Sequence, residues 1–311
     1  MRPLIHIGYH KTGTTWLQKR VFPDEGAGFS FVGDPNAVRS VLVAINPFEY
    51  DPAAVRGRFG AGIEAAEERG LVPVLSHERL SGSPYAGGHD SRVTADRLAA
   101  TFPEARILVA IREQASVILS IYKQYLRWGG AASIEQFLTT PPGMGRMPVF
   151  RFDFYAYHRL IRYYQELFGE QNVLVLPYEM LRARPEDFLG RISGFLGTPL
   201  ADPEPDRNNV SPSALSLAVK RHANRFLVRD ALNPAPLFER RNANKPLHKM
   251  ARRIDELTSP KLRRKHEDRW RRYIQGRVGD RYANSNAAVE KLTGLDLGSF
   301  GYPSGSYSTG R

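Results

Sequence analysis

Short apolar runs of strand length alternate with longer stretches of helical spacing along the first two hundred residues. The strand-like runs are residues 3–7, 29–32, 71–75, 106–111 and 173–176. Between them, residues 53–69, 92–101, 115–128 and 150–168 place apolar side chains at helical intervals. A strand, a helix and a further strand close most readily into a parallel pair, and near-continuously apolar strands are those covered on both faces. The fold class this predicts is α/β, a three-layer parallel β-sheet with helices on both faces. Gly70 and Gly169 stand where helices should end, and Pro185 followed by Glu186 and Asp187 suits a helix start. From about Asp202 the alternation stops. Pro203, Pro205, Asn208 and Asn209 lead into helical, basic sequence that runs to about Gly276. The expectation is a single domain over 1–311, with its core at about 1–200 and 277–302 and a helical basic cap at about 203–276. Residues 284–292 read as a last helix, residues 304–311 as a frayed end, and no internal repeat is found.

The first strand runs into His6-Ile7-Gly8-Tyr9-His10-Lys11-Thr12-Gly13-Thr14-Thr15-Trp16-Leu17, and residues 16–22 read as a helix. A strand, a tight turn and a helix start aim several backbone N–H groups at one point, and that point attracts anions. Lys11 adds a full charge, Thr12, Thr14 and Thr15 add hydroxyls, and Gly13 lets the backbone come close. The order of residues is not that of the nucleotide-triphosphatase loop, in which the lysine follows the second glycine.

This stretch resembles the 5′-phosphosulfate loop of the sulfotransferase family, Pro-Lys-Ser/Thr-Gly-Thr-Thr-Trp-Leu, with His10 in place of the proline. The resemblance implies 3′-phosphoadenosine 5′-phosphosulfate (PAPS) as donor, held by Lys11, Thr12, Gly13, Thr14, Thr15 and Trp16, with adenosine 3′,5′-bisphosphate (PAP) as product. Arg112 ends the run 106–111, and Ser120 follows eight residues later. The pair is similar to the family's 3′-phosphate motif, and a guanidinium with a nearby hydroxyl suits a phosphate dianion. Pro177-Tyr178-Glu179-Met180-Leu181 resembles a family strand end whose tyrosine contacts adenine, which falls here on Tyr178. Ser76-His77-Glu78 ends the run 71–75. The family takes a catalytic His or Glu from this place. In an extended chain these neighbours face opposite ways, so one of them enters the site, and Glu78 is favoured over His77 as the base. Asp34 is an outside candidate. Arg277, between Gly276 and Gly279, loosely echoes a late phosphate-binding loop of the family. The resemblance touches the chain from Ile5 to about Tyr302 and is specific at four short motifs.

The net charge is +12, and residues 240–281 supply most of it, with 15 Lys or Arg against 5 Asp or Glu. Such a block suits an anionic partner or a solvated helical face. No nucleic-acid-binding signature accompanies it, so nucleic acid is not expected as a partner. The absence of cysteine excludes disulfides and thiolate metal sites. No metal-ligand pattern appears, and no metal is expected. No apolar run approaches the roughly 20 residues of a membrane span, and no signal peptide is read at the start, so the protein is expected in the cytoplasm.

The function expected is transfer of a sulfuryl group from PAPS to an acceptor hydroxyl, with Lys11, Glu78 and His77 at the chemistry. The acceptor is expected to be a carbohydrate of anionic kind, with a small molecule or lipid as the alternative. A small-metabolite kinase would need an Asp ending a core strand for Mg²⁺, where this chain offers Arg112 and Tyr178. A non-enzymatic nucleotide- or polyanion-binding protein would leave His77-Glu78 without a role.

Overall fold

The structure is a computed structural model that describes residues 2–139, 150–199, 212–229, 236, 238 and 244–303. Its chain forms two compact units. The first comprises Met1–Glu113, Phe152–Asp206 and Asp280–Arg311, and the second Gln114–Arg151 and Arg207–Gly279. The Pro- and Asn-rich link at 203–209 and the end at 304–311 lie outside the described residues.

The first unit is built on five parallel strands, β1 (Leu4–His6), β2 (Phe29–Phe31), β3 (Val72–Ser76), β4 (Arg106–Ile111) and β5 (Val173–Pro177), in the order β2-β3-β1-β4-β5. His6 pairs with Ser76 on one side and Leu108 on the other, and Ile111 pairs with Pro177. β4 is almost wholly buried, as its unbroken apolar sequence requires. Helices lie on both sides of the sheet.

The helices of this unit are α1 (Thr14–Trp16), α2 (Pro35–Leu42), α3 (Pro52–Glu68) and α4 (Ser91–Thr101), and later in the chain α7 (His158–Phe168), α8 (Tyr178–Ala183), α9 (Pro185–Leu196) and α13 (Ala283–Thr293). α1 continues into a wider turn, Leu17–Val21, in which the Phe22 N–H reaches the Leu17 carbonyl at 2.8 Å. Leu17, Val21 and Phe22 pack with Leu4, Val74, Leu108 and Leu176 of the sheet and with Phe188 and Ile192 of α9. α3 packs on β3, and α7 on β4 and β5.

Most element bounds fall within a residue or two of the sequence expectation. The helix expected over 150–168 is broken instead. Phe152–Tyr155 is a short 3-10 turn, and α7 starts only at His158. The aromatic side chains before the break are pulled inward: Phe154 and Tyr157 both pack on the Tyr9 ring, at 5.1 and 4.7 Å. Burial of these rings outweighs local helical preference.

The second unit contains α5 (Gln114–Arg127), α6 (Ile134–Leu138), α10 (Ala214–Leu227), α11 (Asn244–Leu257) and α12 (Pro260–Val278). Tyr122 and Phe137 meet at 5.4 Å, Phe137 and Phe150 at 5.3 Å. Lys220 of α10 is buried and donates to the Leu126 carbonyl at 3.0 Å and to Asn244 Oδ1 at 2.7 Å. It thereby binds the carbonyl end of α5, where a cation suits the helix dipole. Asp255 of α11 accepts from the Ser213 N–H at 2.9 Å and the Ser216 hydroxyl at 3.1 Å, at the start of α10. No helix among the described residues is long and apolar enough to cross a membrane.

Candidate active site

Parallel pairing sets the C-terminal ends of β3, β1, β4 and β5 side by side. His77 and Glu78 follow β3, the Gly8–Gly13 turn follows β1, Arg112 follows β4 and Tyr178 follows β5. The chain passes from β1 to the β2–β3 flank and then from β3 across to β4, so β1 stands where the winding reverses, the usual place of a ligand crevice in an open sheet.

The turn after β1 first follows β4, with the Tyr9 N–H on the Ala110 carbonyl at 3.0 Å. Lys11 then adopts a φ of 68°, the one non-glycine residue at positive φ among those described. Gly13, at φ 87°, precedes α1. Left-handed residues alternating with ordinary ones make the backbone concavities that hold anions. A Cβ on Gly13 would stand 2.5 Å from Leu181 Cδ2, and at this φ any side chain is strained, which favours glycine. Thr12 is buried and gives its hydroxyl proton to the Tyr9 carbonyl, which closes the turn. The buried Thr14 hydroxyl has no protein partner. Thr15 is exposed, and Trp16 packs partly against the core beneath.

Arg112 joins this turn to the β5 end. Its guanidinium donates to the Lys11 carbonyl at 3.0 Å and lies over the Tyr178 ring, 4.7 Å from its centre. Its own carbonyl accepts from the Tyr157 hydroxyl at 2.6 Å. Glu179, beside Tyr178, accepts from the Glu113 N–H at 3.1 Å and the Tyr302 hydroxyl at 2.9 Å. Burial pushes the Glu179 carboxyl up, while those two bonds and Arg112 pull against the shift.

The β3 end differs from the extended chain expected. Extension stops at His77, which caps the 3-10 turn Glu78–Ser81. The two side chains therefore do not diverge: His77 Nδ1 lies 3.9 Å from Glu78 Oε2. His77 Nδ1 accepts the Arg79 N–H at 2.9 Å, which leaves the ring proton on Nε2 in the neutral form. Burial lowers the His77 pKa, partly offset by Glu78. A neutral ring with its acceptor nitrogen already bonded is poorly placed to take a proton. Glu78 is half-buried. Asp34 caps α2 through the Ala37 N–H at 3.1 Å.

Two residues without a role in the sequence reading belong here. Gln18 Nε2 donates to both the carbonyl and the hydroxyl of Ser76, each at 3.1 Å, tying the wide turn after α1 to the β3 end. His10 is buried, its Nε2 has no partner, and its pKa falls to about 4, lowered by burial and raised in part by Glu78. Its departure from the family's proline was the one signal for it. Ser120 lies half-buried on α5 and Arg277 exposed in the last turn of α12. Both belong to the second unit.

The edge thus offers an ammonium, a buried unpartnered hydroxyl and a left-handed glycine turn, chemistry that suits an anion. It adds a guanidinium stacked on an aromatic ring, and a half-buried carboxyl group. Residues 91–202 match the family model described as the sulfotransferase family. That segment carries Arg112 and Tyr178. No curated protein matches the chain. Among solved structures, a sulfotransferase from Alicyclobacillus acidocaldarius is 17% identical over 71% of this chain and 94% of its own, with a TM-score of 0.49. The sulfotransferase domain from the curacin biosynthetic pathway is 12% identical over 80% and 97%, with a TM-score of 0.37. A mouse sulfotransferase complexed with PAP is 15% identical over 93% and 88%, with a TM-score of 0.32.

Proposed function

We propose that this chain, whose residues 91–202 match the sulfotransferase-family model, transfers a sulfuryl group from PAPS to a carbohydrate hydroxyl. The observation that carries the reading is the left-handed Lys11 turn, braced by Arg112 at the sheet edge that also holds Glu78 and Tyr178.

PAPS, as the donor substrate, supplies the sulfuryl group and leaves as PAP. Lys11, the Thr14 hydroxyl and the turn backbone would bind the phosphosulfate and offset the charge that grows on the departing oxygen. Arg112 would bind the 3′-phosphate and the Tyr178 ring the adenine. Glu78 would take the proton of the acceptor hydroxyl as that oxygen attacks sulfur. His77, neutral and bonded to Arg79, would cap the 3-10 turn that begins at Glu78. In-line placement and fixed charge carry most of the catalysis in such group transfers.

The test is transfer from ³⁵S-labelled PAPS to a panel of uronate-bearing glycans, neutral glycans and small phenols, beside γ-labelled ATP, with PAP affinity measured by calorimetry. Label on a glycan with release of PAP is expected. Label on a phenol alone would change the acceptor class, and label from ATP would make the chain a kinase. Failure to bind PAP would end the sulfotransferase reading.

A further inference from the structure

Two cavities lined by described residues of the second unit, of about 870 and 630 Å³, have unlike linings. In the larger, five Lys and Arg side chains meet the carboxylates of Asp255, Glu256, Glu267 and Asp268. Much of this charge is already spent within the protein, as Glu267 bonds Lys123 at 3.1 Å and approaches Arg271 at 4.0 Å. The smaller cavity is different. Arg221, Arg269 and Arg272 line it with a single carboxylate, Glu135. Two imidazoles, His222 and His266, add hydrogen-bonding groups.

Three aromatic rings share this smaller cavity, those of Tyr122, Trp270 and Tyr273. Arg269, Trp270 and Tyr273 recur on α12 at the spacing that puts residues on one helical face. Trp270 is half-buried. The buried Tyr122 meets it edge to face at 5.0 Å and 76°, which fixes the indole as a platform.

We propose that this cavity binds an anionic saccharide, a sugar unit bearing a carboxylate or a sulfate. The C–H face of a pyranose lies against an aromatic ring, and its hydroxyls bond outward to groups such as Ser133, which also lines the cavity. A guanidinium pair grips a carboxylate or sulfate through parallel N–H bonds. The volume is that of a small-ligand pocket. A polynucleotide, with a phosphate at every base, calls for a basic groove along its length, whereas rings and cations here converge in one cavity. The choice of a saccharide rests on the sulfotransferase reading; the cationic, aromatic character of the cavity does not.

The experiment is calorimetry and indole fluorescence on the full chain with trigalacturonate, the neutral trisaccharide maltotriose and a short single-stranded oligonucleotide. PAP binding is measured in parallel. Arg269→Ala with Arg272→Ala removes two exposed cations and leaves the core intact, and Trp270→Phe keeps an aromatic ring of smaller area. Trigalacturonate is expected to bind and to shift the emission. The double variant should lose affinity roughly tenfold or more, as charge-assisted pairs do, with PAP affinity within about twofold of the wild type. Equal affinity in the double variant, maltotriose binding as well as trigalacturonate, or tighter binding of the oligonucleotide would each overturn the proposal. So would no trigalacturonate binding by the wild type. Trigalacturonate binding that the double variant loses, in a protein that does not bind PAP, would sink the sulfotransferase reading and leave the cavity's assignment standing.

Discussion

Arg112 grips the carbonyl of Lys11 at 3.0 Å, so the residue proposed for the 3′-phosphate also braces the left-handed residue of the turn after β1. Arg112→Ala should therefore lower turnover as well as affinity. Loss of a bidentate charged contact is worth on the order of 2–3 kcal/mol for PAPS and PAP alike. Adenosine 5′-phosphosulfate, which lacks the 3′-phosphate, should lose less affinity. Calorimetry with both nucleotides tests this, and equal losses would remove Arg112 from the 3′-phosphate. Arg112→Lys, with the charge but not the fork, should fall near Arg112→Ala in turnover.

Lys11 sits in a conformation that costs a non-glycine residue about 1–2 kcal/mol. Lys11→Ala and Lys11→Gly should both abolish transfer, because a preorganised cation at a developing charge is typically worth about 3 kcal/mol or more. Their stabilities should differ. Lys11→Gly relieves the backbone and should unfold at a higher temperature than Lys11→Ala, by an amount equivalent to about 1 kcal/mol. Thermal melts of the two read this directly, and the reverse order would mean that the turn is not strained.

Glu78→Gln should lose turnover by about 10²–10⁴-fold with PAP affinity little changed, as expected of a general base. His77→Ala should be milder in turnover, since its Nδ1 is already bonded to Arg79, but should loosen the 3-10 turn it caps. Initial rates at saturating donor decide between them. A severe His77→Ala beside a mild Glu78→Gln would reverse the assignment, and two mild variants would send the search to Asp34.

His6 and His10 are buried, with pKa values lowered to about 3 and about 4 against 6.5 in the unfolded chain. The folded state excludes protons that the unfolded state binds, so stability is full above pH 6.5 and falls as pH drops toward 4. Each group contributes up to about 1.4 kcal/mol per pH unit in that window. Urea unfolding at pH 7.5 and pH 5 should show the loss, and His10→Gln should lose less between these pH values. An unchanged slope in that variant would mean that His10 is protonated in the fold.

Much of this site was legible because strand ends and turns are local. The run 106–111 is β4 residue for residue, and it delivers Arg112 to the edge. Gly13 and Pro185 mark a turn and a helix start through backbone rules that need no partner. What escaped depends on distant contacts. Nothing near Gln18 announces Ser76, 58 residues away, and nothing near Glu179 announces Tyr302, 123 residues away. The divergence expected of His77 and Glu78 assumed extended chain, and the structure bends at that point. The basic stretch 240–281 read as one block, whereas the arginines of α12 divide between a cavity lined by four carboxylates and one lined by three aromatic rings.

β1 separates two neighbourhoods. Arg112 and Tyr178 come from strands on one flank of it, and Glu78 comes from the strand on the other. Under the proposed function, the segment after β3 would face the acceptor, and the segments after β4 and β5 would face the nucleotide. A chain so arranged would let its acceptor change while its donor stays the same, and a search for new acceptors would begin with the segment after β3.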